Sequence, residues 1–180
     1  QILGTIAFLA AIGSTWALFG PPPAVDLDHQ GGTSQTDSGR GIDFDAAGNI
    51  YLALNVGAAY QGQTSKGSTD GVVQKMSAAG AILWARQVGT IQYDNIGGVA
   101  ALADGTTLIA GHTQGTFAGQ TSAGFDDHYV VGHDSSGTQL GLDQYGGTSS
   151  EYANDVATDG TSFYVVGSTW GTIPGQSSSG

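Results

Sequence analysis

Gly62-Gln63-Thr64-Ser65-Lys66-Gly67 returns 57 residues later as Gly119-Gln120-Thr121-Ser122-Ala123-Gly124, and after a further 56 as Gly175-Gln176-Ser177-Ser178-Ser179-Gly180. A period of that size, carried by Gly-rich turn text between apolar runs, marks a tandem array in which each unit is one supersecondary element. Taking the phrase as the junction between units divides the chain after its linker into 27–67, 68–124 and 125–180.

Outward from the phrase the units continue to agree. Asp28-His29-Gln30-Gly31-Gly32-Thr33 matches Asp143-Gln144-Tyr145-Gly146-Gly147-Thr148, and Arg86-Gln87-Val88-Gly89-Thr90 matches both with one residue fewer. After a polar loop comes a strand-turn-strand: Ile42 to Leu52 around Asp45-Ala46-Ala47-Gly48, Val99 to Ile109 around Ala103-Asp104-Gly105, and Val156 to Val165 around Thr158-Asp159-Gly160. An earlier hairpin turns at Ser77-Ala78-Ala79-Gly80 in the second unit and at Asp134-Ser135-Ser136-Gly137 in the third. Short β-branched runs reversing at Asp/Gly turns are hairpin signals, so each complete unit is four short strands. Turns of this kind need the positive φ that glycine supplies, which accounts for 31 glycines without a phosphate loop.

Four strands in about 57 residues is the pattern of a β-propeller blade, whereas a β-helix repeat is shorter and a two-helix repeat shows period 3.6. The elements Asp70-Gly71-Val72-Val73, Ile82-Leu83-Trp84, Ile42-Asp43-Phe44-Asp45-Ala46-Ala47-Gly48-Asn49-Ile50-Tyr51 and Gly111-His112-Thr113-Gln114-Gly115 resemble the bacterial β-propeller repeats called SBBP repeats. The resemblance covers about residues 24–180 and implies an all-β fold of four-stranded, propeller-like blades with no shared catalytic residues. Asn55-Val56-Gly57 and Gly141-Leu142 depart from the pattern. About three units make an incomplete ring, since propellers close with four to eight blades. The missing strands come from a longer polypeptide or are borrowed from neighbours, unless the units form a three-unit β domain of another kind; an open edge favours pairing with another chain.

From Ile2 to Phe19 no residue is charged. Eighteen residues would reach about 27 Å as a helix, the threshold for a membrane span, and Gly20-Pro21-Pro22-Pro23 would end it. The expectation is a transmembrane-type helix over 1–20, a Pro-rich linker over 21–26 and a repeat domain over 27–180. Ile2, Leu3, Ile6, Phe8, Leu9, Gly13, Trp16, Ala17 and Phe19 are the expected contacts to membrane or partner helices, the small residues allowing close approach. Two alternatives stay open. One is a secretory signal; the other is a strand pair of a degenerate blade, since Ala10 to Ala17 echoes Ala78 to Ala85.

Four Lys+Arg against fifteen Asp+Glu give a net charge of −11, which makes nucleic acid and anionic lipid poor partners. The absence of cysteine excludes disulfides and thiolate metal sites. His29, His112, His128 and His133 lack ligand spacing, His128 and His133 being five apart in a strand and so on opposite faces. Asp26, Asp28, Asp43 and Asp45 alternate along strands and make a candidate calcium or acid/base pair, but Asp45, Asp104, Asp134 and Asp159 stand at hairpin turns, where aspartate caps the backbone. Gly39-Arg40-Gly41 and Gly146-Gly147 read as turns. Tyr51, Tyr60, Tyr93, Tyr129, Tyr145, Tyr152 and Tyr164 with Trp84 and Trp170 line a sugar-binding surface or pack between blades.

These readings converge on a non-catalytic, cofactor-free structural or accessory subunit of a prokaryotic envelope or membrane complex, tethered by its N-terminal helix. Its extracytoplasmic, acidic β domain would contact other subunits. A pilin-like filament subunit is the alternative, with Thr5 where bacterial type IV pilins carry glutamate; a sugar-binding or enzymatic propeller is the third.

Overall fold

The computed structural model describes residues 7–12 and 25–177. Its twelve described strands are β1 (Ala7–Ile12), β2 (Val25–Gly31), β3 (Asp37–Phe44), β4 (Ile50–Val56), β5 (Asp70–Met76), β6 (Ile82–Val88), β7 (Asp94–Ala101), β8 (Thr107–Thr113), β9 (Asp127–His133), β10 (Gln139–Tyr145), β11 (Glu151–Thr158) and β12 (Phe163–Thr169). All pair antiparallel with their sequence neighbours within a sheet. Sheet I is β3-β4-β5-β6, sheet II is β7-β8-β9-β10, and β1-β2 and β11-β12 are two-stranded.

The phase of these sheets differs from that of the sequence units. Each four-stranded sheet joins the later hairpin of one unit to the earlier hairpin of the next, so the Gly-Gln phrase lies inside a sheet's span, between its second and third strands. There it forms a tight turn in which Gln63 N–H donates to Tyr60 O at 2.8 Å, Gln120 N–H to Phe117 O at 3.0 Å and Gln176 N–H to Ile173 O at 3.0 Å. Gly62, Gly119 and Gly175 take φ of 74°, 80° and 83°, a region open to glycine at little cost, which is why the phrase repeats.

In β4 and β8 apolar residues fall on both faces, with Tyr51 and Ala53 in one cluster and Ile50, Leu52 and Leu54 in another, so each sheet presents a buried face to each side. Tyr51, Ala53, Val73 and Val88 of sheet I meet Ile96, Val99, Ile109, Tyr129 and Val131 of sheet II in one buried cluster. Ala100 and Ala110 of sheet II meet Ala153 and Val156 of β11 in another. Burying each large side chain of this kind contributes about 1.5–3 kcal/mol. The first strands β3, β7 and β11 pack side by side. Asn55 ties sheet I to β7, its Oδ1 accepting Ile96 N–H at 2.7 Å and its Nδ2 donating to Ile96 O at 3.4 Å.

Sheet I also grips the turn between β9 and β10. Trp84 Nε1 donates to Ser135 O at 3.0 Å, Arg86 Nε to Gly137 O at 2.6 Å, and Lys75 Nζ to Ser135 O at 3.3 Å. Gly132, Gly141 and Asp143 stand at the places in sheet II that Lys75, Trp84 and Arg86 hold in sheet I, so this grip is not repeated toward β11-β12.

The expected N-terminal helix lies for the most part outside the described residues, as do Gly20–Pro23 and Ile2, Leu3, Ile6, Gly13, Trp16, Ala17 and Phe19. Its described part, with Phe8 and Leu9, is β1, an extended segment paired with β2 from Ala7↔Gly31 to Ile12↔Val25. Val25 and Asp26, assigned to the linker, belong to β2. A short uncharged apolar run carries no period that separates helix from strand, and pairing decides it. Among the described residues no helix is long and apolar enough to cross a membrane.

Candidate functional site

The turn aspartates behave as their positions require. Asp45 Oδ1 accepts the N–H groups of Ala47 and Asn49, both at 2.9 Å, and Asp134 Oδ1 accepts those of Ser136 and Thr138, both at 2.9 Å. Asp104 accepts Thr106 N–H at 2.8 Å, and Asp159 accepts Thr161 and Ser162 N–H at 2.9 Å. Burial pushes the Asp45 carboxyl up, but hydrogen bonds from the Asn49 side chain and backbone, Tyr51 and Ala47 outweigh it and hold it below the usual range. A buried ion pair to Lys75 Nζ at 3.4 Å completes its surroundings. Asp43 is separate from Asp45 in role: its Oδ2 accepts Ala101 N–H at 2.7 Å across to sheet II.

Among the described residues no three of His, Asp and Glu are grouped to hold a metal. His128 stacks edge-on against Tyr145 at 4.1 Å and His112 against Tyr152 at 4.7 Å, while His133 is buried beside Trp84. Burial depresses all three imidazoles, and Arg86 adds to the effect at His133. The aromatic set does not converge either. Tyr51, Tyr60 and Tyr129 are core residues, and the exposed Tyr145, Tyr164 and Trp170 stand on different elements.

A second set of polar residues, not expected from the sequence, repeats at the sheets' outer strands. Gln87 Oε1 accepts Tyr60 N–H at 2.9 Å, and its Nε2 donates to Ala58 O at 3.1 Å and Asp70 Oδ2 at 2.8 Å. Gln144 repeats this with Phe117 N–H at 2.9 Å, Gly115 O at 2.9 Å and Asp127 Oδ2 at 3.0 Å. Each glutamine thus staples the Gly-Gln loop to its sheet. The signal was a glutamine in each matched stretch, but the stretches as matched set His29 against Gln144; the loop hydrogen bonds from Thr33, Thr90 and Gly147 N–H to Asp37, Asp94 and Glu151 bring Gln30 level with Gln87 and Gln144. Beside the first staple, the Tyr129 hydroxyl is fully buried without a hydrogen-bond partner. Tyr129→Phe is therefore expected to raise stability by about 1 kcal/mol, seen as a higher urea midpoint at unchanged slope.

Two surfaces remain open. One is a cleft of about 470 Å³ at the first strands, lined by Arg40, Asp43, Val99, Asp155 and Thr158 among others. Each first strand carries a register irregularity at one place, around Arg40, Gly97 and Asn154, which turns those residues out of the ladder. Asp155 Oδ1 accepts Val156 N–H at 2.9 Å and Arg40 Nη2 reaches Asn95 Oδ1 at 3.4 Å, so the charged groups here are tied into the walls.

The other is β12. Its sequence Phe163-Tyr164-Val165-Val166-Gly167-Ser168-Thr169 has no charge, and among the described residues it pairs with β11 alone. Val165 and Val166 are 42% and 63% exposed, where Ile109 and Ala110, at the matching places in β8, are fully buried. Alongside it lies a pocket of about 230 Å³ lined by His128, Tyr152, Ala153, Val165, Gly167 and Ile173 among others. No protein-family model matches the chain, and no curated protein compared with it does.

Proposed function

We propose that the chain is a non-catalytic, propeller-like β-repeat subunit that works by contact, its acidic β domain meeting other subunits through the uncharged, exposed surface of β12. The observation that carries this reading is the uncharged, exposed second strand of a sheet whose two counterparts, β4 and β8, are each covered by a third strand. An exposed strand of that kind is a template for strand addition. The titratable groups support contact over chemistry, because the carboxylates close turns and the histidines pack against aromatic rings. The acidic, cysteine-free composition supports an envelope setting.

The test is a peptide of residues 126–134, which contains β9. Added to the purified chain, it is expected to bind and to slow amide hydrogen exchange at Val165–Gly167, while a scrambled peptide does neither. Unchanged exchange at saturating peptide would overturn the reading. Val165→Lys should also abolish the protection, since charge on an edge strand opposes pairing.

A further inference from the structure

The two ends of the sheets differ in charge. At one end are the hairpin turns 45–49, 77–81, 102–106, 134–138 and 159–162, where Asp104 and Asp159 are exposed. At the other are the loops that lead into β3, β5, β7, β9 and β11. The carboxylate that opens each of those strands holds its loop from below. Asp37 accepts Thr33 N–H, Asp70 accepts Lys66 N–H at 2.8 Å, Asp94 accepts Thr90 N–H at 2.6 Å, Asp127 accepts Ala123 N–H at 3.0 Å and Glu151 accepts Gly147 N–H at 2.6 Å. All five are buried. The loops themselves, 33–36, 57–69, 89–93, 114–126 and 146–150, carry two charged residues. Lys66 is exposed, and Asp126 is buried, its Oδ2 accepting the Ser150 and Tyr152 hydroxyls at 2.9 and 3.1 Å. In a chain of net charge −11, these loops therefore expose no carboxylate.

The same end carries the three most exposed large apolar side chains among the described residues: Ile91 at 82%, and Phe125 and Trp170 both at 78%. Each stands on a different connection, and the repeat does not call for any of them. The loop hydrogen bonds and strand pairings set Ser34 and Thr148 level with Ile91, Ser68 level with Phe125, and Gly57 and Gln114 level with Trp170. Gln114 is exposed in sheet II, where all four strands are present, so the Trp170 place is open by the geometry of its turn. Phe125 N–H donates to Ser149 O and Trp170 N–H to Ser150 O, both at 3.0 Å, which fixes the backbone under the two aromatic side chains.

We infer that this end is a membrane-contact surface, on which Ile91, Phe125 and Trp170 enter the interface of a bilayer of zwitterionic phospholipid as separate wedges. The inference stands apart from the contact at β12. A protein partner is held through a contiguous, desolvated patch shaped to it. Three apolar side chains on three connections, flanked by Thr90 and Gln92, Gly124 and Asp126, and Thr169 and Gly171, do not make one. A fluid interface closes round each side chain independently, and aromatic residues favour that depth. The carboxylates beneath the loops leave a negative field, so neutral headgroups are preferred to anionic ones. Three inserted side chains give weak, reversible binding.

The purified chain, floated with phosphatidylcholine vesicles on a density gradient, is expected to rise with them, and added salt is expected to leave the bound fraction unchanged. Vesicles containing phosphatidylglycerol are expected to carry less. Ile91→Ser and Phe125→Ser are each expected to weaken partition by about tenfold. Their urea midpoints should match that of the parent chain, since serine stands at 34 and 68 already. The chain has no cysteine, so Ile91→Cys, Phe125→Cys and Ala79→Cys can each carry an environment-sensitive dye. The first two dyes are expected to shift to the blue on vesicles and to be quenched by brominated lipid; the third, exposed on a turn at the far end, is not. Absence of binding overturns the inference, as does binding that salt abolishes or that survives undiminished in the Ile91→Ser, Phe125→Ser double variant. Vesicle binding that leaves the dyes at 91 and 125 silent overturns it too, because the chain then meets the bilayer through another surface.

Discussion

Gln87→Leu is expected to lower the free energy of unfolding by about 4 kcal/mol, a large share of the 5–15 kcal/mol typical of a folded domain. Leucine keeps most of the volume and removes three hydrogen bonds. Tyr60 N–H and Ala58 O lose their side-chain partner, and the buried Asp70 carboxylate keeps Lys66 N–H at 2.8 Å as its donor to Oδ2. Each buried group left unsatisfied costs about 1–3 kcal/mol, more where it is charged. The effect is amplified because Asp70 Oδ1 already has no partner. Gln144→Leu is expected to behave alike, since Asp127 Oδ1 is also without one. Gln30 has the same sequence context but is exposed, so Gln30→Leu is expected to stay within about 0.5 kcal/mol. Urea unfolding of the three variants checks this; a loss under about 1 kcal/mol for Gln87→Leu would show that the staple does not hold the loop.

The staple was half legible in the sequence. Repetition of Gln30, Gln87 and Gln144 was visible, but the partners of Gln87 lie 17 to 29 residues away, and only the folded sheet brings them within reach. Hairpins and turns were fully legible because they are local: glycine with positive φ and aspartate bonding two residues on are decided within five residues. The phase of the sheets was not. A repeat of two alternating hairpins can be divided after either one, and the choice falls to hydrogen bonds between strands such as β4 and β5, joined across the Gly-Gln loop. Ala7–Ile12 was left open between helix and strand for a related reason: a segment without charge or period is read by its length, and its pairing with β2 is set by contacts the segment does not encode alone. The pocket beside β12 was not legible, because its walls come from β9, β11, β12 and Ile173 and meet only in the folded chain.

Acidification from pH 6.5 to pH 4 is expected to cost about 3 kcal/mol of stability through His133 alone, and His133→Phe is expected to remove that loss. The imidazole is 1% exposed, its Nδ1 has no partner, and it packs against Trp84 with ring centroids 6.2 Å apart. Burial pushes its pKa down to about 4, with Arg86 adding to the depression and Asp134 opposing it. The folded protein thus refuses a proton that the unfolded chain accepts from about pH 6.5 downward, so stability rises with pH between those two values and is fully present above the upper one. His112 and His128 are depressed by burial and act in the same direction. Asp94 acts in the opposite one: burial raises its carboxyl above the usual value, so it favours the folded state as pH falls toward 3.8 and offsets part of the loss. Asp45, held low by its hydrogen bonds, gives up its contribution only below 3.8, outside this window. Thermal unfolding measured at half-unit steps from pH 4 to 7.5 separates these terms. The variant should show a flatter profile by nearly the whole His133 contribution, and an unchanged slope would mean that His133 gains a proton in the folded state at little cost.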